Sequence, residues 1–151
     1  MIPSRLDHDW IAAHIPHRGS MCLLDRVEYW DPERIVCLAG SHRNPDHPLR
    51  SRGRLGSVCG IEYAAQAMAV HGALLSSGKP TRAGYLVSVR VTRLHVPRLD
   101  DIAAELAVAA SCISASENNL LYQFEVLAED RLLLEGRAAV MLNAIAEKNP
   151  V

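Results

Sequence analysis

The feature that most constrains this chain is the stretch Ser57 to Gly78, SVCGIEYAAQAMAVHGALLSSG. Nearly every residue in it is apolar or small, and a helix without a polar face belongs inside a fold. Ser57 can cap its start by accepting a backbone N–H, and Gly78 followed by Pro80 can end it. Two polar side chains interrupt the rod, Glu62 and Gln66, four positions apart and therefore on one helical face. A buried carboxyl is costly unless paired or protonated. Glu62 therefore either marks a site or pairs with an arginine across a subunit interface.

At 151 residues and 49 % apolar content the chain fits one domain, residues 1–151, with a real core. Its 16 basic and 17 acidic residues nearly cancel, which argues against a nucleic-acid partner. Cys22, Cys37, Cys59 and Cys112 form no C-x-x-C pair and read as reduced thiols. The first ten residues, MIPSRLDHDW, carry no hydrophobic signal region, and the apolar stretch contains Glu, Gln and His. The expectation is a cytoplasmic protein with no membrane partner.

Period-two patterns supply the other elements. A short helical turn and loop over Trp10 to Ser20 precede a strand in MCLLDRVEYW, closed by Asp31-Pro32, and RIVCLAGS is a second strand forming a hairpin with it. The segment His42 to Gly56, HRNPDHPLRSRGRLG, has no apolar periodicity and reads as a functional loop. Beyond the core helix, Tyr85, Val87, Val89 and Val91 alternate with Ser88, Arg90 and Thr92. Ile102 to Ile113 is a small-residue strand, and Leu120, Tyr122, Phe124 and Val126 alternate in another. Arg131 to Asn143 is the last, after a turn at Glu129-Asp130. The order β-β-α-β-β-β-β predicts an α+β fold in which one antiparallel sheet wraps a single long helix.

Such a sheet is the hotdog fold, and three stretches resemble the 3-hydroxyacyl-acyl-carrier-protein dehydratases that adopt it. They are IPHRGSMCLLDRV (Ile15 to Val27), GIEYAAQAMAVHG (Gly60 to Gly72) and GYLVSVRVTRLHVPRLDD (Gly84 to Asp101), in the family's order. The wording PHRGSMCLLD with GIEYAAQAMAVHG is most similar to the divergent branch associated with aryl polyene biosynthesis.

The resemblance implies dehydration of a 3-hydroxyacyl thioester to a trans-2-enoyl thioester. That reaction needs a base for the Cα proton, an acid for the departing hydroxyl and dipoles for the enolate-like oxygen. Glu62 matches the family's helix carboxylate, and burial among Cys59, Ile61 and Ala65 should raise its pKa for acid work. Gln66 is expected to hold Glu62 or line the site. The backbone N–H groups at Gly56, Ser57 and Gly60 are the oxyanion candidates, standing where a helix dipole favours negative charge.

The family's Gly-His-Phe-Pro stretch is missing. His47, 15 positions before Glu62, stands closest to it; His17, in Pro-His-Arg, comes second and His42 third. For each of them the alternative is a solvated or capping imidazole. His71, two turns from Glu62 on the helix, is placed where it could hydrogen-bond across a dimer interface, and neither it nor His95 is assigned a catalytic role. Neither His14-x-x-His17 nor His42 with His47 completes a metal set, and no phosphate loop or serine elbow is present, so the reading calls for no metal and no cofactor.

The implied substrate is an acyl carrier protein or coenzyme A thioester. Arg43, Arg50, Arg52, Arg54, Arg82 and Arg90 are candidates for a basic rim that receives it. A sheet edge points to a homodimer or a heterodimer with another hotdog chain. Two alternatives stand beside dehydration: a hotdog acyl thioesterase, and a non-catalytic subunit that completes a conventional dehydratase.

Overall fold

The computed structural model describes residues 6–76 and 84–142. Helix α1 is His8–His14. Strands β1 (Arg26–Trp30) and β2 (Arg34–Ala39) precede helix α2 (Gly60–Leu75), and β3 (Gly84–Leu94), β4 (Leu106–Ala115), β5 (Asn119–Ala128) and β6 (Arg131–Leu142) follow it. The strands form one antiparallel sheet in the order β1-β2-β4-β5-β6-β3, so β1 and β3 are its edges.

The inward period-two positions make the core. Ile35, Cys37, Val108, Ala110, Tyr122, Phe124, Val126 and Leu134 are buried from the sheet, and Tyr63, Ala64, Ala67, Val70 and Leu74 from α2. The helix packs across β2, β4 and β5. Eight of its ten buried positions are apolar, small or aromatic, and the other two, Gln66 and His71, are hydrogen-bonded at both polar ends of their side chains.

Local chemistry sets the connections. In the β1–β2 hairpin Asp31 Oδ1 accepts the N–H groups of Glu33 and Arg34, each at 2.8 Å. The β5–β6 turn places Glu129 (φ 48°) and Asp130 (φ 66°) in the left-handed region, as a two-residue hairpin turn requires.

Four boundaries differ from expectation, one of them the start of β4, at Leu106 instead of Ile102. The first strand begins at Arg26 instead of Met21, because a tight turn at Gly19–Met21 and side-chain bonds to the backbone of Met21 and Leu23 replace a ladder there. The core helix begins at Gly60 after a 3-10 turn at Ser57–Cys59, and Ser57 is buried without acting as a side-chain cap. The helix stops at Leu75, where Ser76 turns both its N–H and its hydroxyl onto the Gly72 carbonyl, at 3.0 and 2.8 Å. The expected terminators Gly78 and Pro80 lie outside the described residues. Strict alternation along β3 is also broken, by register shifts between Leu86 and Ser88 and between Arg90 and Arg93.

Gly60 is required by a close approach. A Cβ there would lie 2.6 Å from Leu134 Cδ2 and 2.9 Å from its Cδ1, so the start of α2 rests directly on β6.

Candidate active site

Glu62 sits in the first turn of α2, and His17 in the connection between α1 and β1. His17 Nε2 lies 3.5 Å from Glu62 Oε2, with side-chain exposures of 24 % and 33 %. Among the described residues His17 Nδ1 is buried without a hydrogen-bond partner, so Nε2 is the ring nitrogen turned to the carboxylate. The pair is reachable from outside, and the burial expected for Glu62 is absent: a third of its side chain is exposed although it stands on an apolar helix.

Gln66 explains why His17 is here. Its side chain is fully buried; Oε1 accepts the Leu23 N–H at 2.9 Å and Nε2 donates to the Met21 carbonyl at 2.7 Å. The helix that carries Glu62 therefore grips, one turn further on, the segment that carries His17. Its two amide bonds go to backbone and none to Glu62, so what the structure shows of Gln66 is this grip on the segment before β1.

The expected order His47, His17, His42 changes at its head, because the structure brings His17 to Glu62. His47 is 4 % exposed; its Nδ1 accepts the Leu49 N–H at 3.0 Å and its Nε2 lies 3.0 Å from the Tyr63 hydroxyl. His42 is fully buried, with Nε2 2.9 Å from the Ile102 carbonyl. Burial lowers the pKa of both imidazoles, and the nearby Arg50 guanidinium pushes the same way. His71 does not face another subunit either. Its ring is enclosed within the chain, between the Tyr122 hydroxyl and the Asp31 carbonyl, each at 2.8 Å.

Of the three expected oxyanion donors, two are spent. The Ser57 N–H donates to the Pro97 carbonyl at 3.2 Å, and the Gly60 N–H turns back on the carbonyls of Ser57 and Val58. Gly56 is bridged to Arg98 through bonds made by its neighbours, Leu99 N–H to Leu55 C=O and Ser57 N–H to Pro97 C=O, so its own N–H takes no part. Asp100 anchors this corner: Oδ1 accepts the Leu55 N–H at 2.8 Å, and the Arg98 guanidinium beside it holds the carboxyl well below the usual carboxylate range.

The candidate rim arginines differ in exposure. Arg43, Arg52, Arg54 and Arg90 are exposed, and Arg52 (φ 54°) and Gly53 (φ 77°) form the tip of a tight turn. Arg50 instead braces the loop from within, donating to the carbonyls of His42 and Gly53. Arg82 lies outside the described residues. A separate cavity of about 540 Å³ is bordered by His8, Asp25, Ser41, Asn44 and His47; neither His17 nor Glu62 lines it.

The sequence reading missed Tyr63. The signal was present: a tyrosine hydroxyl on a helix buried all round must find a partner inside the protein. Its oxygen meets both His47 Nε2 and Ser41 Oγ, and burial pushes its pKa up to about 12.

An antiparallel sheet wrapped round one apolar helix, with a carboxylate in the first turn of that helix, defines a protein of the hotdog class. Solved structures agree. A chain of the dehydratase heterocomplex ApeI:P from Xenorhabdus doucetiae is 21 % identical, with a TM-score of 0.81 over 91 % of this chain and 93 % of that one. A Haemophilus influenzae thioesterase is 13 % identical, TM-score 0.61, over 82 % and 81 %. A hypothetical thioesterase from Streptococcus pneumoniae, solved with coenzyme A, is 10 % identical, TM-score 0.59, over 79 % and 85 %. None of the curated proteins matches. The family model ApeP-like, described as ApeP dehydratase, matches residues 10–149, and the chain belongs to that dehydratase family.

Proposed function

We propose that this chain dehydrates 3-hydroxyacyl thioesters carried on acyl carrier protein to trans-2-enoyl thioesters, in polyene-type biosynthesis in the cytoplasm, with His17 and Glu62 as its catalytic pair. The observation that carries the reading is the 3.5 Å approach of the two side chains at the accessible start of an apolar helix. His17 Nε2 takes the Cα proton while Glu62, as the acid, gives a proton to the β-hydroxyl. The Cα–H and Cβ–O bonds break, the C=C bond forms and water leaves. The imidazolium then passes its proton to the carboxylate, and the pair is reset. In the resting structure the gap is longer than a hydrogen bond, a usual feature of acid–base pairs before substrate closes them. The N–H of Gly56, near the helix start and bonded to no other group among the described residues, is the donor we assign to the enolate-like oxygen.

The carrier is recognised, in this reading, by the exposed Arg43, Arg52 and Arg54, whose charge suits an acidic protein or a pantetheine phosphate. A partner hotdog chain adds along β3, an edge strand of eleven residues with Leu86 (44 %) and Leu94 (47 %) exposed. The similar structure that is a dehydratase heterocomplex supports a different hotdog chain as the partner.

The test incubates the purified chain, alone and with a hotdog partner chain, with a 3-hydroxyacyl carrier-protein thioester and follows product mass. Loss of one water, abolished by Glu62→Gln and by His17→Ala with the fold retained, is expected. Free acid would make the protein a thioesterase. Unchanged turnover in both variants would refute the assignment of the pair.

A further inference from the structure

A hydrogen-bonded chain of side chains runs from the loop before α2, through α2, to the segment that carries His17. The Ser41 hydroxyl donates to the Leu23 carbonyl at 2.8 Å, so at its 2.7 Å contact with Tyr63 the tyrosine hydroxyl is the donor. Tyr63 has then spent its only proton and accepts from His47 Nε2–H at 3.0 Å. His47 Nδ1, left as the acceptor, takes the Leu49 N–H at 3.0 Å. Every group is used once, and the backbone fixes both ends, so the chain has one direction: Leu49 N–H to His47 to Tyr63 to Ser41 to Leu23 C=O.

Leu23 is thereby clamped from both sides. Gln66 holds its N–H and the Ser41 chain holds its carbonyl, and both holders are fixed to α2, through residues 66 and 63. Tyr63 is the residue next to Glu62 and is itself fully buried. Between the clamp at Leu23 and His17 lie five residues, three of them in the tight turn Gly19–Met21, with Met21 held by the same glutamine. Moving Leu23 relative to α2 therefore moves His17 relative to Glu62.

We propose that His47, Tyr63 and Ser41 are positioning residues that set the spacing of His17 and Glu62. The proposal rests on the reading of that pair as catalytic, and it assigns His47 a role through Tyr63 instead of contact with substrate. Partly misplacing one member of such a pair costs rate in the chemical step and leaves binding alone.

The test uses Tyr63→Phe and Ser41→Ala in the full chain, with Ser41→Thr as the conservative variant. The first reading is independent of turnover: ring signals of His17 in a histidine-resolved NMR spectrum at fixed pH. Glu62→Gln calibrates how far these signals move when the pair is broken. Tyr63→Phe and Ser41→Ala should move them, Ser41→Thr should restore them, and the ring of His95, bonded to Glu135 at 2.8 Å, should stay in place. In the active assembly kcat should fall by about tenfold or more at unchanged KM. His17 signals that stay at their wild-type positions in Tyr63→Phe overturn the proposal, whether or not the protein dehydrates anything. Moved signals with no dehydration by the wild-type chain, alone or with a partner, would uphold the positioning and refute the reaction.

Discussion

Acidification is the perturbation that the buried histidines of this fold should feel first. His42, His47 and His71 are 0, 4 and 0 % exposed, and in each case loss of hydration is the main cause holding the pKa below its ordinary 6.5. The unfolded chain, with imidazoles near 6.5, binds more protons than the folded one as soon as pH falls toward that value, so stability falls with falling pH. The contribution is complete above about pH 6.5 and drains away until the folded pKa values are reached. The limiting slope is about 1.4 kcal/mol per pH unit for each group. Between about pH 7 and 5.5 a histidine that stays neutral in the fold loses about 1.2 kcal/mol, so three lose up to roughly 4 kcal/mol. Against a typical domain stability of about 5–15 kcal/mol that is a large fraction. Urea denaturation across this range measures it directly. Replacing His71 by Gln should reduce the slope by about a third, since one of three proton-binding groups is gone. The depressed carboxyls of Asp31 and Asp100 act in a lower, separate pH window. An unfolding free energy that stays flat from pH 7 to 5.5 would refute the reasoning, because three enclosed neutral imidazoles cannot coexist with a pH-independent equilibrium.

Other perturbations have equally definite outcomes. Gly60→Ala forces Leu134 or the helix start to shift and should cost about 1–3 kcal/mol in the same denaturation assay, with Leu134→Ala in the double variant relieving part of the clash. Gln66→Leu leaves the Leu23 N–H and the Met21 carbonyl unpaired, at about 1–3 kcal/mol for each buried group, and should reduce turnover beyond what the stability loss explains. Asp100→Ala strips the Leu55 N–H of its acceptor and the Arg98 guanidinium of its partner; the melting temperature should fall, and a wild-type melting temperature would show that the corner is held elsewhere.

The architecture was legible in the sequence because its signals are local. The alternation of Leu120, Tyr122, Phe124 and Val126 is visible without any knowledge of partners, and Tyr122, Phe124 and Val126 do point into the core. The site was legible only in its helical half. Glu62 and Gln66 stood out as polar residues on an apolar rod, yet the spacing of His47 from Glu62 pointed to an imidazole other than the one that arrives there. His17 is 45 residues away along the chain, and its arrival depends on bonds from Gln66 to a stretch without periodicity. The bulges in β3 and the short turn ahead of α2 were hidden for a similar reason: both answer to neighbours that are remote in sequence.

The bare Cα of Gly60 has a consequence for the chemistry as well as for packing. With Leu134 nested where a side chain would otherwise stand, the front end of α2 lies deeper on β6 than any other residue type would allow. Glu62 is fixed two residues further along, so the height of its carboxylate above the sheet is dictated by a missing methyl group. Any larger residue at position 60 would act as a shim under the helix, and the altitude of the acid, more than its identity, is what such a change would alter.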